Sequence, residues 1–322
     1  MASEITPTDE LPHALREALK TCDQQCGRVL EEFTGTMTST PRLLYHYTDG
    51  PGLWGILETG SFRLTDIFKL NDPSEFRHGI DHACQVLAME ARRGHPAAKV
   101  FARKFLTLKK ATTEIAQFFV GCFSCDGDEL GQWRAYADNG RGFALEFDGA
   151  LLEKAFVAMT PTSATHSTFP VFYDTGLLRG LCRELSRCVV PLTAMPQGRH
   201  MSAGAINEFM KQLSIYASFH AGHSALYFKH KAYAQEKEYR FLQMYAAGAP
   251  VVDLLYRARG SLFVRYTPFE WADQFGSSLK GIIIGPAADG RRAREFVREC
   301  LRHSGRNGLN ISIRRSRVPY RG

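Results

Sequence analysis

The residues best suited to chemistry lie between Gln235 and Tyr245, where Glu236, Glu238 and Arg240 recur at every second position ahead of Leu242 and Met244. On a β-strand that spacing puts all five side chains on one face and Tyr239, Phe241 and Tyr245 on the other, so the segment is expected to be one strand covered on both sides. Two carboxylates on a covered face repel each other and lose solvation, which raises their pKa values, while an arginine beside them holds them ionised. Such a group can stabilise a developing cation or move a proton. An ion pair at a sheet edge has the same pattern, and the segment alone does not separate the two.

Other places add residues with chemical capacity. His46 sits among Tyr45, Tyr47 and Thr48; an imidazole there can donate to a ribose hydroxyl while a tyrosine stacks on a planar ring, although a core histidine satisfies the same pattern. Ser124 closes an apolar run, and Trp133 and Tyr136 follow at a spacing that brings them together on a helix. They can wall a pocket, with ordinary core packing the simpler account of Trp133. Asn71 and Asp72 precede Pro73 in a loop, where turn and cap chemistry explains them without a function. Cys122 and Cys125 form a CxxC with no second CxxC and no spaced histidine pair, so no zinc site is expected.

The elements that must position these residues alternate in type. Helices are expected over 8–34, 74–93, 97–116, 129–138, 176–190, 203–228 and 287–303, and a short one is expected between Asp49 and Gly60. Strands are expected over 43–47, 62–65, 118–124, 142–148, 169–173, 239–245, 281–285 and 309–315. The strands are short and irregularly spaced, and no glycine-rich phosphate turn joins strand to helix, so the expected class is α+β with mixed or antiparallel strands. Residues 1–40 read as an N-terminal helix and linker, and 41–322 as one domain with a helical insertion near 176–230.

Composition narrows the setting. A chain of 322 residues, 44% hydrophobic and 11% aromatic, is long enough for a sizeable core. The formal charge of +7 suits an anionic partner such as nucleic acid, although arginines near the C-terminus, from Arg291 to Arg317, carry much of it. The polar start and the lack of an apolar run of roughly 18 residues point away from a secretory signal and a membrane span. Eight cysteines, mostly inside apolar patterns, read as reduced thiols of a cytoplasmic protein.

Taken in order, these marks resemble a bacterial domain family of unknown function. They are Tyr45-His46-Tyr47-Thr48, Asn71-Asp72-Pro73-Ser74-Glu75, Phe123-Ser124, the Trp133-to-Ala137 helix, Glu236-Lys237-Glu238-Tyr239-Arg240, Ile283-Ile284-Gly285-Pro286 and the terminal segment Ser316 to Arg321. That family is in turn similar to the ADP-ribosyltransferase superfamily, whose split, mostly antiparallel sheet cradles NAD as substrate. The resemblance implies that His46 binds a ribose, that Thr48 meets the nicotinamide end, and that Tyr47 or Tyr136 stacks on nicotinamide. Ser124 takes the central strand position. Glu238 is implied as the catalytic acid, with Glu236 as its partner and live alternative, and Arg240 as a contact to the NAD phosphates or a clamp on the acids. Asn71 and Asp72 have no counterpart. The implied activity is NAD-dependent ADP-ribosyl transfer to a protein or nucleic acid, in a toxin or phage-defence role with an antitoxin or defence partner. The alternatives are an NAD glycohydrolase and a non-catalytic nucleotide- or nucleic-acid-binding module. Because Glu238→Gln keeps shape and removes charge, it is expected to stop nicotinamide release while leaving the fold stable.

Overall fold

The computed structural model describes residues 11–35, 39–70, 74–107, 116–198, 201–246, 248–272 and 278–320. Its organising element is β3 (Ala116–Ser124), which pairs along its whole length with antiparallel β6 (Glu238–Ala246). On its other side β3 is shared by two strands. β1 (Leu43–Thr48) meets it at Tyr45 and Ser124, whereas β2 (Ser61–Asp66) meets it at Thr65 with Val120 and Asp66 with Phe119. Among the described residues no strand pairs with Gly121, Cys122 and Phe123 on that side, so the sheet splits there.

Each branch then continues outward. β1 leads to β4 (Phe143–Asp148), β9 (Leu279–Ile284) and β10 (Ser312–Arg315), and only the β9–β10 pair is parallel. β2 leads to β8 (Leu262–Glu270) and the edge strand β7 (Leu255–Arg259), while β5 (Thr165–Pro170) flanks β6. The result is an α+β fold with a mostly antiparallel open sheet, as the strand spacing implies.

Alternation along β3 separates two cores. Phe118 and Val120 join a helical layer made by α1 (His13–Gly35), α3 (Ser74–Arg93), α4 (Pro96–Thr107), α7 (Thr175–Val189) and α8 (Ala203–Ala225). Phe119 and Phe123 face the other way, into a core with Phe62, Phe147, Phe241 and Phe269 beneath α2 (Gly50–Thr59), α6 (Gly149–Met159) and α9 (Gly290–His303). Each buried phenylalanine contributes roughly 1.5–3 kcal/mol, so both faces of the central strands are strongly held. α1 packs with α7 and α8, so the N-terminal helix shares the core of the 175–225 region.

Local chemistry explains how the first strand ends. Asp49 caps α2 by accepting from the Gly52 amide at 2.7 Å, Pro51 stands in the first turn, and Gly60 closes the helix at φ 64°. A side chain on Gly52 would collide with Thr48 Oγ1, so glycine is what lets the helix start this close to the strand. Several expectations shift. The first helix begins at His13, and the expected helix over 97–116 is described from Pro96 to Thr107, with 108–115 outside the described residues and Ala116 already in β3. α6 and the β7–β8 hairpin were not anticipated.

Candidate functional site

The cleft of about 850 Å³ lies on the side of the sheet where β1 and β2 part. Tyr47, Thr48, His46, Ser124, Tyr136, Glu236, Glu238 and Arg240 all line it, so residues from β1, β3, β6 and α5 (Leu130–Tyr136) meet at one place.

His46 occupies the split itself. Its Nδ1 lies 3.3 Å from the Cys122 carbonyl, in the stretch of β3 that has no ladder partner on this side. A carbonyl only accepts, so Nδ1 carries the proton and Nε2 is left as an acceptor. The ring packs on Phe62 and Phe123, with centroids 5.0 and 5.6 Å away. Burial pulls the pKa down to about 4 against the opposing pull of the Cys122 carbonyl, and the imidazole is neutral at pH 7. The expected donation to a ribose hydroxyl is therefore corrected, because the proton is already committed to backbone.

The acidic segment is not one strand. β6 begins at Glu238, whereas Glu236 ends a 3₁₀ turn (Lys231–Glu236), and Lys237 between them is left-handed at φ 44°. Pins from the neighbouring turn hold this bend. Ser124 Oγ donates to the Glu236 carbonyl at 2.7 Å and accepts from the Asp126 amide at 3.0 Å, while Lys237 Nζ reaches Asp126 Oδ2 at 2.9 Å. Ser124 is thus an anchor for the acidic turn.

Although the backbone turns, the two carboxylates are brought together by Lys229, which sequence reasoning missed. Its Nζ lies 2.6 Å from Glu236 Oε2 and 3.0 Å from Glu238 Oε2. Arg240 closes the other side of Glu238, with Nε 2.7 Å from Oε1 and Nη2 3.3 Å from Oε2, and its Nη1 donates to the Leu226 carbonyl at 2.8 Å. Arg240 therefore clamps the acid and does not reach out for phosphate. Tyr136 donates to Glu236 Oε1 at 3.2 Å, and the Tyr173 hydroxyl accepts from the Glu238 amide at 3.0 Å.

Charge and burial are matched through this network. Burial raises the Glu238 carboxyl, opposed by the Lys229 ammonium and by hydrogen bonds from Cys122 and Lys229. Burial also disfavours the Lys229 ammonium, but Glu238 and Glu236 outweigh it and hold that pKa above its ordinary range. Arg240 is pulled down by burial to about 9 and stays charged at neutral pH. The side chain of Glu238 is 5% exposed and that of Glu236 16% exposed, so the second acid stands nearer the opening.

The aromatic residues divide by exposure. Tyr47 is 6% exposed, donates to the Asp126 carbonyl at 2.8 Å and accepts from the Glu129 amide at 3.0 Å. Its ring meets Trp133 edge-on at 4.8 Å, and Trp133 is fully buried with Nε1 on Asp128. Stacking on a ligand ring is left to Tyr136, which is 37% exposed. Thr48 lies buried beneath the cleft. Cys122 lines the cleft beside Glu238, its thiol pushed well up by burial and then by that carboxylate, and Cys125 is exposed. Asn71 and Asp72 lie outside the described residues.

An α+β sheet with a cleft at its split thus carries the whole constellation. Residues 132–241 match the profile of a family described as a protein of unknown function (DUF2971), a stretch that includes Tyr136, Lys229, Glu236, Glu238 and Arg240 and leaves out His46. No curated protein and no solved structure matches the chain. No helix among the described residues is long and apolar enough to cross a membrane.

Proposed function

We propose that the chain is an NAD-dependent ADP-ribosyltransferase acting on a macromolecule, protein or nucleic acid. The observation that carries this reading is the meeting of His46, Tyr136, Glu236 and Glu238 in one cleft where β1 and β2 diverge from β3. A split of this kind, with a histidine at one strand and an acid at another, is what the resemblance to the transferase superfamily implies. The cleft volume of about 850 Å³ suits a dinucleotide, since small-molecule sites span roughly 300–1,000 Å³.

Breaking the bond between nicotinamide and ribose leaves positive charge on the sugar, and nicotinamide departs with the bonding electron pair. Glu238 is a fixed carboxylate that can face this charge without rearranging, because Arg240 and Lys229 already hold it. Tyr136 offers its ring to nicotinamide, and His46 Nε2 accepts from a ribose hydroxyl. The acceptor nucleophile then bonds to the sugar carbon and gives its proton to Glu236, the more accessible acid.

Incubation of the full chain with NAD and candidate macromolecules tests the reading. Nicotinamide release with label on a macromolecule supports transfer, whereas free ADP-ribose alone makes the chain an NAD glycohydrolase. Absence of both nicotinamide release and thermal stabilisation by NAD would leave only a binding module.

A further inference from the structure

A second group of charges lines the same cleft on the β2 branch. Arg63 of β2 and Arg257 and Arg259 of β7 all contribute to its wall, with Tyr266 of β8 among them. The strand register accounts for this. Tyr266 pairs with Thr65 on one side and Leu255 on the other, and residues two or four positions along from these share its face. The long side chains close the remaining distance: Arg63 Cζ stands 5.4 Å from the centroid of the Tyr266 ring.

This group differs from the network around Glu238 in what surrounds it. Arg257 Nε is buried and has no hydrogen-bond partner among the described residues. Burial, then the like charges of Arg63 and Arg259, hold its guanidinium below the usual arginine range, and only Tyr266 acts in the opposite sense. Arg259 directs Nη2 to the Lys69 carbonyl at 2.5 Å, which fixes it beside the other two. Arg257 is half-buried, and a guanidinium whose buried Nε faces other guanidiniums favours an anion placed among them. The geometry points to a phosphate subsite in which Arg63 and Arg257, flanked by Arg259, take a ligand with two adjacent phosphate charges, a diphosphate or a run of phosphodiesters. Arginine suits this task because its planar fork pairs with two phosphate oxygens at once.

The assignment goes beyond the transferase reading and does not depend on nicotinamide chemistry. Arg240, the arginine implied as a phosphate contact, is committed to Glu238, so phosphate recognition in this cleft falls to the β2–β7 side. The same chemistry serves a small nucleotide diphosphate or a nucleic-acid strand, and the test separates the two.

The experiment is titration of the full chain with inorganic pyrophosphate by calorimetry, repeated with ADP and with a single-stranded oligonucleotide. Pyrophosphate is expected to bind with an affinity that falls as salt rises. Arg63→Gln and Arg257→Gln are each expected to weaken it about tenfold, and Arg291→Gln, on the exposed face of α9, to leave it unchanged. Arg63 is exposed, so its variant keeps the test valid if Arg257→Gln proves unstable by thermal melting. Displacement of pyrophosphate by ADP alone assigns the subsite to small nucleotides, and displacement by the oligonucleotide through the same arginines assigns it to nucleic acid. The proposal is overturned if pyrophosphate does not bind, if both cleft variants bind like wild type, or if Arg291→Gln weakens binding as much as they do. Nicotinamide release is measured in parallel, so that phosphate binding without release retains the subsite and removes the transferase reading.

Discussion

The two ends of the cleft handle charge in opposite ways. On the β6 side every cation has a carboxylate within hydrogen-bonding distance: Lys229 touches Glu236 and Glu238, and Arg240 grips Glu238. On the β2–β7 side, Arg257 is influenced by Arg63 and Arg259, and its buried Nε has no partner among the described residues. The first arrangement pairs its cations with acids, whereas the second sets like charges side by side. A site with internally balanced acids suits chemistry on a group that gains positive charge, whereas clustered guanidiniums suit holding a negative one. On the proposed reading, one cleft containing both binds a phosphorylated sugar by its phosphates and presents the sugar to the acids.

Removing a charge from the balanced end should therefore have the largest effect on stability. Glu238→Gln leaves Arg240 and Lys229 buried beside a neutral amide, and breaking a buried pair in this way costs about 3–5 kcal/mol. The earlier expectation that this variant keeps a stable fold is replaced by a large fall in unfolding free energy, measured in urea. The double variant Glu238→Gln with Arg240→Met should recover part of that loss, because it removes the buried cation that faced Glu238 while Lys229 keeps Glu236. A single variant as stable as wild type would show that the network carries no structural weight. For activity the cleaner variant is Glu236→Gln: this acid is less buried and Lys229 keeps Glu238 when it is lost, so it should cost less stability than Glu238→Gln while lowering the transfer rate at least tenfold. Wild-type transfer in that variant would remove Glu236 from the proposed proton-accepting role.

His46 supplies the next effect, through pH. The unfolded imidazole takes up a proton near the ordinary histidine value of 6.5, while the folded one does so only at about 4, because burial penalises its charged form. Between those values the unfolded state binds more protons. Stability from this group is complete above pH 6.5 and is lost as pH falls toward 4, by about 3 kcal/mol in all. His223 in the helical layer, also lowered by burial, adds a contribution of the same sign, so the comparison is between wild type and His46→Gln. The variant should show a shallower fall in unfolding free energy over that interval. Identical slopes would mean that His46 does not resist protonation in the folded protein.

What the sequence discloses follows from how local each feature is. The strands around Leu43–Thr48, Ala116–Ser124 and Phe143–Asp148 are legible because period-two alternation needs only neighbouring residues. His46, Ser124, Tyr136 and Glu238 are recognisable as residue types at strand ends or on a short helix, and the fold brings them together. The break at Lys237 is not legible. Nothing in a Glu-Lys-Glu run announces a left-handed lysine, and the bend is imposed by Ser124 and Asp126 from a distant part of the chain. Lys229 escapes notice for the same reason, since its two partners are defined only in three dimensions. The β7–β8 hairpin is a different case. Its alternation is present, but Arg257 and Arg259 occupy the inward positions where apolar residues would signal a strand, and they do so because that face lines a cleft.

The smallest expected effect breaks the comparison most directly. Arg257→Gln removes a guanidinium that is partly buried and repelled by Arg63 and Arg259, so the loss of packing along its stem is offset by relief of like charge. Its unfolding free energy should stay within about 0.5 kcal/mol of wild type, the range of substitutions that disturb no paired network. Low ionic strength should move it toward stabilisation relative to wild type, because the repulsion of Arg257 by Arg63 and Arg259, present only in wild type, is then less screened. Pyrophosphate should reverse the order: wild type gains stability in proportion to the bound ligand and the variant gains less. A loss in Arg257→Gln comparable to that in Glu238→Gln would mean that the arginine end is balanced within the protein after all, and the contrast between the two ends would vanish.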